Sequence, residues 1–167
     1  MKTTAYHLQR GVFLLEALIG ILIFSVGILT LVALQAKSIE IQSDTQYRIE
    51  AANLADRMLG EIALSVNRSG LDQATQLANI QASLANFAHR PTTSANCNFT
   101  GPDSADANVV AWVNDINSGA ARLPGVSPSM QQIQVNLGTF NQVIITICWK
   151  QSGEAAPRRH TLVSYVN

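Results

Sequence analysis

The apolar positions of this chain change rhythm along its length. Residues 12–34 form a nearly unbroken apolar run of 23 residues that holds a single charge, Glu16. No proline interrupts it, and Gly20 and Gly27 are of the small type that lets membrane helices approach closely. As an α-helix the run would span about 34 Å, enough for a hydrocarbon core of about 30 Å. The alternative, a buried helix of a soluble protein, would ordinarily keep a polar face. From Tyr47 the pattern becomes amphipathic. Ala51, Leu54, Ala55, Met58 and Ile62 recur at steps of three and four, and Asp44, Arg48, Glu50, Arg57 and Glu61 fill the other faces. One helix is expected over residues 13–64, half in lipid and half packed on a globular head.

Residues 67–70 break this pattern. A second helix is expected over residues 72–88, with Leu77, Ile80, Leu84 and Phe87 on its buried face and Asp72 near its start, where negative charge suits the helix dipole. Residues 90–106 are rich in Pro, Thr, Asn, Asp and Gly and read as an irregular loop. Residues 109–116 fit a short helix that carries Trp112 into the core, and 118–129 return to loop. The last third alternates with a period of two. Strands are expected over 132–137, 142–149 and 159–166, with Gly138-Thr139 in a hairpin turn, Val143, Ile145 and Ile147 on one face, and Leu162, Val163 and Tyr165 in the third strand. The fold class is therefore α+β: a long N-terminal helix packed on an antiparallel β-meander head.

Composition changes this picture little. The 167 residues are 47% hydrophobic and 13% charged, with 11 basic and 11 acidic side chains. A net charge of zero argues against a nucleic-acid partner, which would need a basic face, and the apolar content argues against a disordered chain. Charge placement says more. Residues 1–11 carry Lys2 and Arg10, with His7 and no acid, which holds the N-terminus in the cytoplasm and places the remainder across the membrane. The apolar run is longer than that of a cleaved secretory signal, and Leu34-Gln35-Ala36 lacks a small-x-small cleavage site. Glu16 is the anomaly, since a carboxylate in a membrane span is costly and usually functional, and no Lys or Arg inside the span can pair with it.

Arg10-Gly11 followed by Val12-Phe13-Leu14-Leu15-Glu16 and an uncharged apolar run resembles the class III signal of type IV pilins and pseudopilins. The family usually places Phe first after the cut, whereas this chain has Val12 first and Phe13 second. The resemblance implies cleavage by prepilin peptidase between Gly11 and Val12, N-methylation of Val12, and a Glu16 carboxylate that meets the terminal amine of an adjacent subunit. Such an ammonium–carboxylate pair gains most where neither ion is well solvated. Residues 24–35, with Ser25, Gly27 and the ending Leu34-Gln35, and residues 48–58 also resemble the PilV-type minor pilins; Trp112 and Leu123-Pro124-Gly125 fit the less regular middle of that group.

This likeness divides the chain into a leader (1–11), a transmembrane or filament-core helix (12–34) and a periplasmic head (35–167). It implies a non-enzymatic minor pilin of the bacterial inner membrane, later in the fibre at or near its tip. Such subunits prime pilus assembly and support twitching motility and adhesion. The implied partners are other minor pilins and the major pilin through the N-terminal helix, prepilin peptidase, the inner-membrane assembly platform and a tip adhesin. No cofactor or metal is implied, and no nucleic acid: removal of Lys2 and Arg10 leaves nine basic against 11 acidic side chains. A minor pseudopilin of type II secretion shares the same N-terminal signal. A signal-anchored periplasmic binding or enzyme domain is the alternative of another class.

The two cysteines are Cys97, in the expected loop, and Cys148, in the second expected strand. A head outside the cytoplasm permits a disulfide between them, with two buried free thiols as the alternative. Their spacing does not suit a metal site. His89 and His160 are isolated in sequence, and no nucleophile motif accompanies them. Asp103-Ser104-Ala105-Asp106 is a weak Ca²⁺ pattern, better read as solvated loop acids. Arg158-Arg159-His160 reads as a solvated strand edge. Asn67-Arg68-Ser69 and Asn98-Phe99-Thr100 match the glycosylation pattern, which bacterial pilins are not expected to use.

Overall fold

The computed structural model describes residues 9–119 and 122–167, with side chains from Val12 onward. The expected leader therefore lies outside the described residues, except for the backbone of 9–11. The elements in chain order are α1 (Gln9–Ser65), α2 (Gln73–Ala85), α3 (Ala107–Ser118), a 3₁₀ turn (Pro128–Met130), β1 (Gln131–Asn136), β2 (Gln142–Trp149) and β3 (Arg158–Tyr165). The chain divides into two compact units between Thr45 and Gln46.

The first unit is the part of α1 up to Thr45. Its apolar stretch is long and apolar enough to cross a membrane, and none of it is buried among the described residues. The two hydroxyls within it are satisfied internally. Ser25 Oγ donates to Ile21 O at 2.7 Å and Thr30 Oγ1 to Val26 O at 2.9 Å, so neither presents an unpaired polar group to an apolar solvent. Charge returns with an exposed Lys37–Glu40 pair at 2.7 Å.

The second unit is an α+β head built on the C-terminal half of α1. Ala51, Leu54, Ala55, Met58 and Ile62 are all buried, as their spacing predicts, and share one core with Ile133, Val143, Ile145, Ile147 and Trp149 of the sheet. The sheet is a meander in the order β1-β2-β3, antiparallel throughout. Its register pairs Ile133 with Ile145 and Ile145 with Leu162, which places Ile133, Val143, Ile145, Ile147, Trp149 and Leu162 on the face turned to α1. Trp112 enters this core from α3 and donates its indole N–H to Leu54 O at 2.9 Å, tying α3 to α1.

Local chemistry sets the helix starts. Asp72 caps α2, accepting from Thr75 N at 2.8 Å, and these Thr75 hydrogen bonds, backbone first and hydroxyl second, hold its carboxyl below the usual range. Asp106 caps α3 through Asn108 N at 2.9 Å. After β2 the chain packs tightly on itself: Lys150 N donates to Pro124 O at 3.0 Å, and a Cβ on Gly125 (φ +57°) would lie 2.2 Å from Lys150 O. Only glycine fits there.

Two details of α2 depart from expectation. α2 ends at Ala85 rather than at residue 88; residues 86–88 turn so that Phe87 still reaches the core. Leu77 is 47% exposed, because only Ile80 and Leu84 of α2 face the core. On β3 the strict alternation turns Leu162 inward and leaves Val163 and Tyr165 on the outer face. Gly138 and Thr139 lie in the β1–β2 turn as expected, and its left-handed positions are Phe140 and Asn141.

Candidate functional site

Two regions carry the residues singled out by sequence, one in each unit. In the first, Val12 and Glu16 lie on α1, four residues apart and hence on one helix face. Both are exposed, and Glu16 has no hydrogen bond or ion pair among the described residues. Gly11 belongs to the same helix, but only its backbone is described. The arrangement offers a lone carboxylate on an uncharged apolar rod, since no Lys, Arg, Asp or Glu follows until Lys37. Chemically it can do one thing well: accept a cation delivered by another molecule.

In the second region a disulfide joins Cys97 to Cys148, with Cα atoms 6.0 Å apart. Of the two states open at the sequence level, the bonded one is present. It fixes the loop before α3 to the outer face of β2. Around it, Phe99 is 1% exposed, and Phe99 N donates to Ser129 O at 2.8 Å. Gln132 Nε2 donates to Arg90 O at 2.8 Å and Gln134 Nε2 to Pro91 O at 2.7 Å, so β1 holds the same loop by its side chains. The loop thus covers part of the sheet's second face, which explains why Gln132, Thr146 and Cys148 are buried although they point away from the α1 core.

Arg158-Arg159-His160 lies on the edge strand β3, as expected, with Arg159 exposed, but both of its arginines are engaged. Arg158 pairs with Glu154. Arg159 donates to Ser94 O at 2.8 Å and Ala95 O at 3.3 Å, and its guanidinium lies 5.9 Å from the Phe99 ring centroid. Sequence reasoning missed Arg159 and Phe99 as clamps of this loop. The available signal was Phe99 itself, an aromatic two residues after Cys97 in an otherwise polar stretch.

The remaining candidates have structural partners. Asp103 accepts from Arg90 Nε at 2.7 Å, and Asp106 is the α3 cap. His89 is buried; its Nδ1 accepts from Ser104 N at 3.2 Å, which fixes the tautomer with the proton on Nε2. Burial pushes the His89 pKa down, more than the nearby Asp103 carboxylate raises it, and Arg90 adds to the lowering. His160 lies across the sheet from Ile147, remote from His89 in the pairing scheme. Among the described residues no group of three His, Cys, Asp or Glu side chains is placed to hold a metal ion. No protein-family model matches the chain, and comparison with curated proteins and with solved structures returns no match either.

Proposed function

We propose that this chain is a minor pilin of a type IV pilus, most similar to the PilV type, that waits in the inner membrane and is drawn into a helical fibre. One observation carries the reading: a lone carboxylate, Glu16, four residues after the Gly11–Val12 junction on an exposed, otherwise uncharged helix that continues as the core helix of an α+β head. On this reading prepilin peptidase removes residues 1–11, and the freed amine of Val12, N-methylated, becomes the cation that Glu16 of a neighbouring subunit accepts.

The physics of extraction supports it. A helix that leaves lipid for a bundle of other apolar helices keeps an apolar environment, so residues 17–36 lose little in the transfer. Glu16 is different. Alone it opposes burial in a fibre core, and paired with an ammonium it sets both the partner and the axial register, because one removed partner in a buried pair costs about 3–5 kcal/mol. The head, tied by its disulfide, would lie outside the cytoplasm and supply the surfaces that meet other minor pilins, the assembly platform and a tip adhesin.

The test is Glu16→Ala in the native host. Membrane insertion should stay at the wild-type level, because removing a charge from a span favours insertion. Recovery in the sheared-fibre fraction should fall by about tenfold or more, as loss of a buried charge pair requires. Wild-type recovery of the variant in fibres would overturn the mechanism.

A further inference from the structure

Arg159 stands beside both cysteines of the disulfide. It is the cross-strand partner of Cys148, so the two Cβ atoms lie about 5 Å apart on one face of the sheet. That is the outer face, because Ile147 and Trp149 on either side of Cys148 are turned to the α1 core. From there Arg159 reaches the cover loop. Its Nη2 donates to Ser94 O at 2.8 Å and Ala95 O at 3.3 Å, and lies 3.8 Å from Cys97 Sγ, within hydrogen-bond reach of sulfur. The Phe99 ring centroid is 5.9 Å from the same guanidinium.

Two of these contacts bear on how the bond is made. Cys97 has φ +58°, a left-handed backbone that a residue with a side chain keeps only where its surroundings hold it. Arg159 holds the Ser94 and Ala95 carbonyls of that turn through hydrogen bonds that do not need the S–S link. The same cation faces the Cys97 sulfur, where it is a weak partner for a disulfide and a strong one for a thiolate.

We propose that Arg159 is the positioning residue for formation of the Cys97–Cys148 disulfide, docking the 94–97 turn over Cys148 and favouring the Cys97 thiolate once β2 and β3 are paired. Cys97 reacts first, since Asn96 and Asn98 beside it are exposed whereas Cys148 lies in the central strand. Its thiol gives a proton to solvent, and the thiolate attacks one sulfur of a disulfide oxidant such as glutathione disulfide. The oxidant's other sulfur leaves as a thiolate. Cys148, deprotonated in turn, attacks the Cys97 sulfur of the mixed disulfide and expels the oxidant's second sulfur. Two electrons and two protons leave the cysteines, and the oxidant ends as two thiols. The reaction is thereby coupled to folding. A slip of one residue in the β2–β3 register would turn Arg159 to the opposite face and remove it from both cysteines.

The experiment reads Cys97 alone, in the full-length Cys148→Ser chain kept reduced in non-ionic detergent, by iodoacetamide alkylation against pH. Arg159→Gln should move the midpoint up by about one pH unit, the lower end of the shift that an opposite charge at such a distance produces. Arg159→Lys keeps the charge and should keep most of the lower midpoint. With both cysteines present, closure of the reduced chain by glutathione disulfide near neutral pH should slow about threefold or more in Arg159→Gln. That is the loss of thiolate after allowance for its greater nucleophilicity. In concentrated urea all the chains should close at one rate. An unchanged midpoint in Arg159→Gln overturns the proposal. So does an Arg159→Lys chain that matches Arg159→Gln, which would leave Arg159 a clamp of the loop alone. A rate difference that persists in urea overturns it as well, by assigning the effect to the unfolded chain. Neither readout involves residues 12–34, so the inference can fail without affecting the pilin reading.

Discussion

His89 shows how one side chain can make a whole head sensitive to acid. Its Nδ1 is an acceptor for Ser104 N, a role available only to the neutral ring, and its Nε2 is buried with no partner among the described residues. Burial is the main reason its pKa lies below 6.5; Arg90 pushes the same way, and Asp103, with Oδ1 3.8 Å from Nδ1, pulls against both. The sign follows. Above pH about 6.5 the ring is neutral in both folded and unfolded chains, and no contribution changes. As pH falls below that value the unfolded chain takes a proton that the folded chain refuses, so stability declines until the lower folded pKa is reached. We expect unfolding free energy measured by urea titration to fall between pH 7 and pH 5, with a slope of at most about 1.4 kcal/mol per unit from this residue. His89→Gln should flatten that slope; an unchanged slope would place the acid sensitivity elsewhere. At this scale the sequence is unevenly legible. Asp72 sits at the start of its helix as its charge suggests, and Glu16 stands out wherever an apolar run is scanned. Arg159 does not, because its partners are the carbonyls of Ser94 and Ala95, more than 60 residues away, and backbone carbonyls leave no trace in a pattern of residue types.

At the scale of elements, the parts read best are those whose period is imposed by one continuous interface. The α1 stripe from Ala51 to Ile62 faces a single sheet, so a period of 3.6 survives in the sequence, and β2 is recovered from Gln142 to Trp149 for the corresponding reason. α2 is read less well because only its second half meets the core; Leu77 keeps an apolar identity without a buried place. The stretch before α3 was legible only as irregular. It is in fact an ordered cover of the sheet, bridged to β1 at His89–Ile133, closed on itself at Thr92–Thr100, and held by glutamine side chains and the disulfide. Turn-forming composition says that a segment leaves regular structure, not where it lands. The disulfide closes a loop with a sequence separation of 51, worth about 4 kcal/mol in the chain-entropy account, an upper figure because the unfolded chain is not random. Replacing Cys97 and Cys148 together by Ser should lower unfolding free energy by about 2–4 kcal/mol in denaturant titrations. Hydrogen exchange should rise first in residues 90–104 while the amides of β2 stay protected. Equal deprotection of loop and sheet would show that the bond holds the whole head rather than its cover.

On the scale of the molecule, an apolar rod with one carboxylate and a head with its own core are two units with different solvents. The first is suited to lipid or to other apolar helices, since none of its apolar window is buried among the described residues. The second is suited to water and to an oxidising compartment, where its disulfide persists. Their α+β order, a long helix followed by a three-stranded meander, was legible in the sequence, whereas Phe140, 83% exposed in the β1–β2 turn, follows no intramolecular period. What unites the two units is the claim that the rod is a processed assembly element. Intact mass and N-terminal sequence of the protein from membranes, in strains with and without prepilin peptidase, test that claim most directly. The account predicts a chain beginning at Val12 and heavier by one methyl group when the peptidase is present, and one that keeps residues 1–11 when it is absent. A chain that still begins with those residues in both strains would contradict it and leave an anchored periplasmic domain.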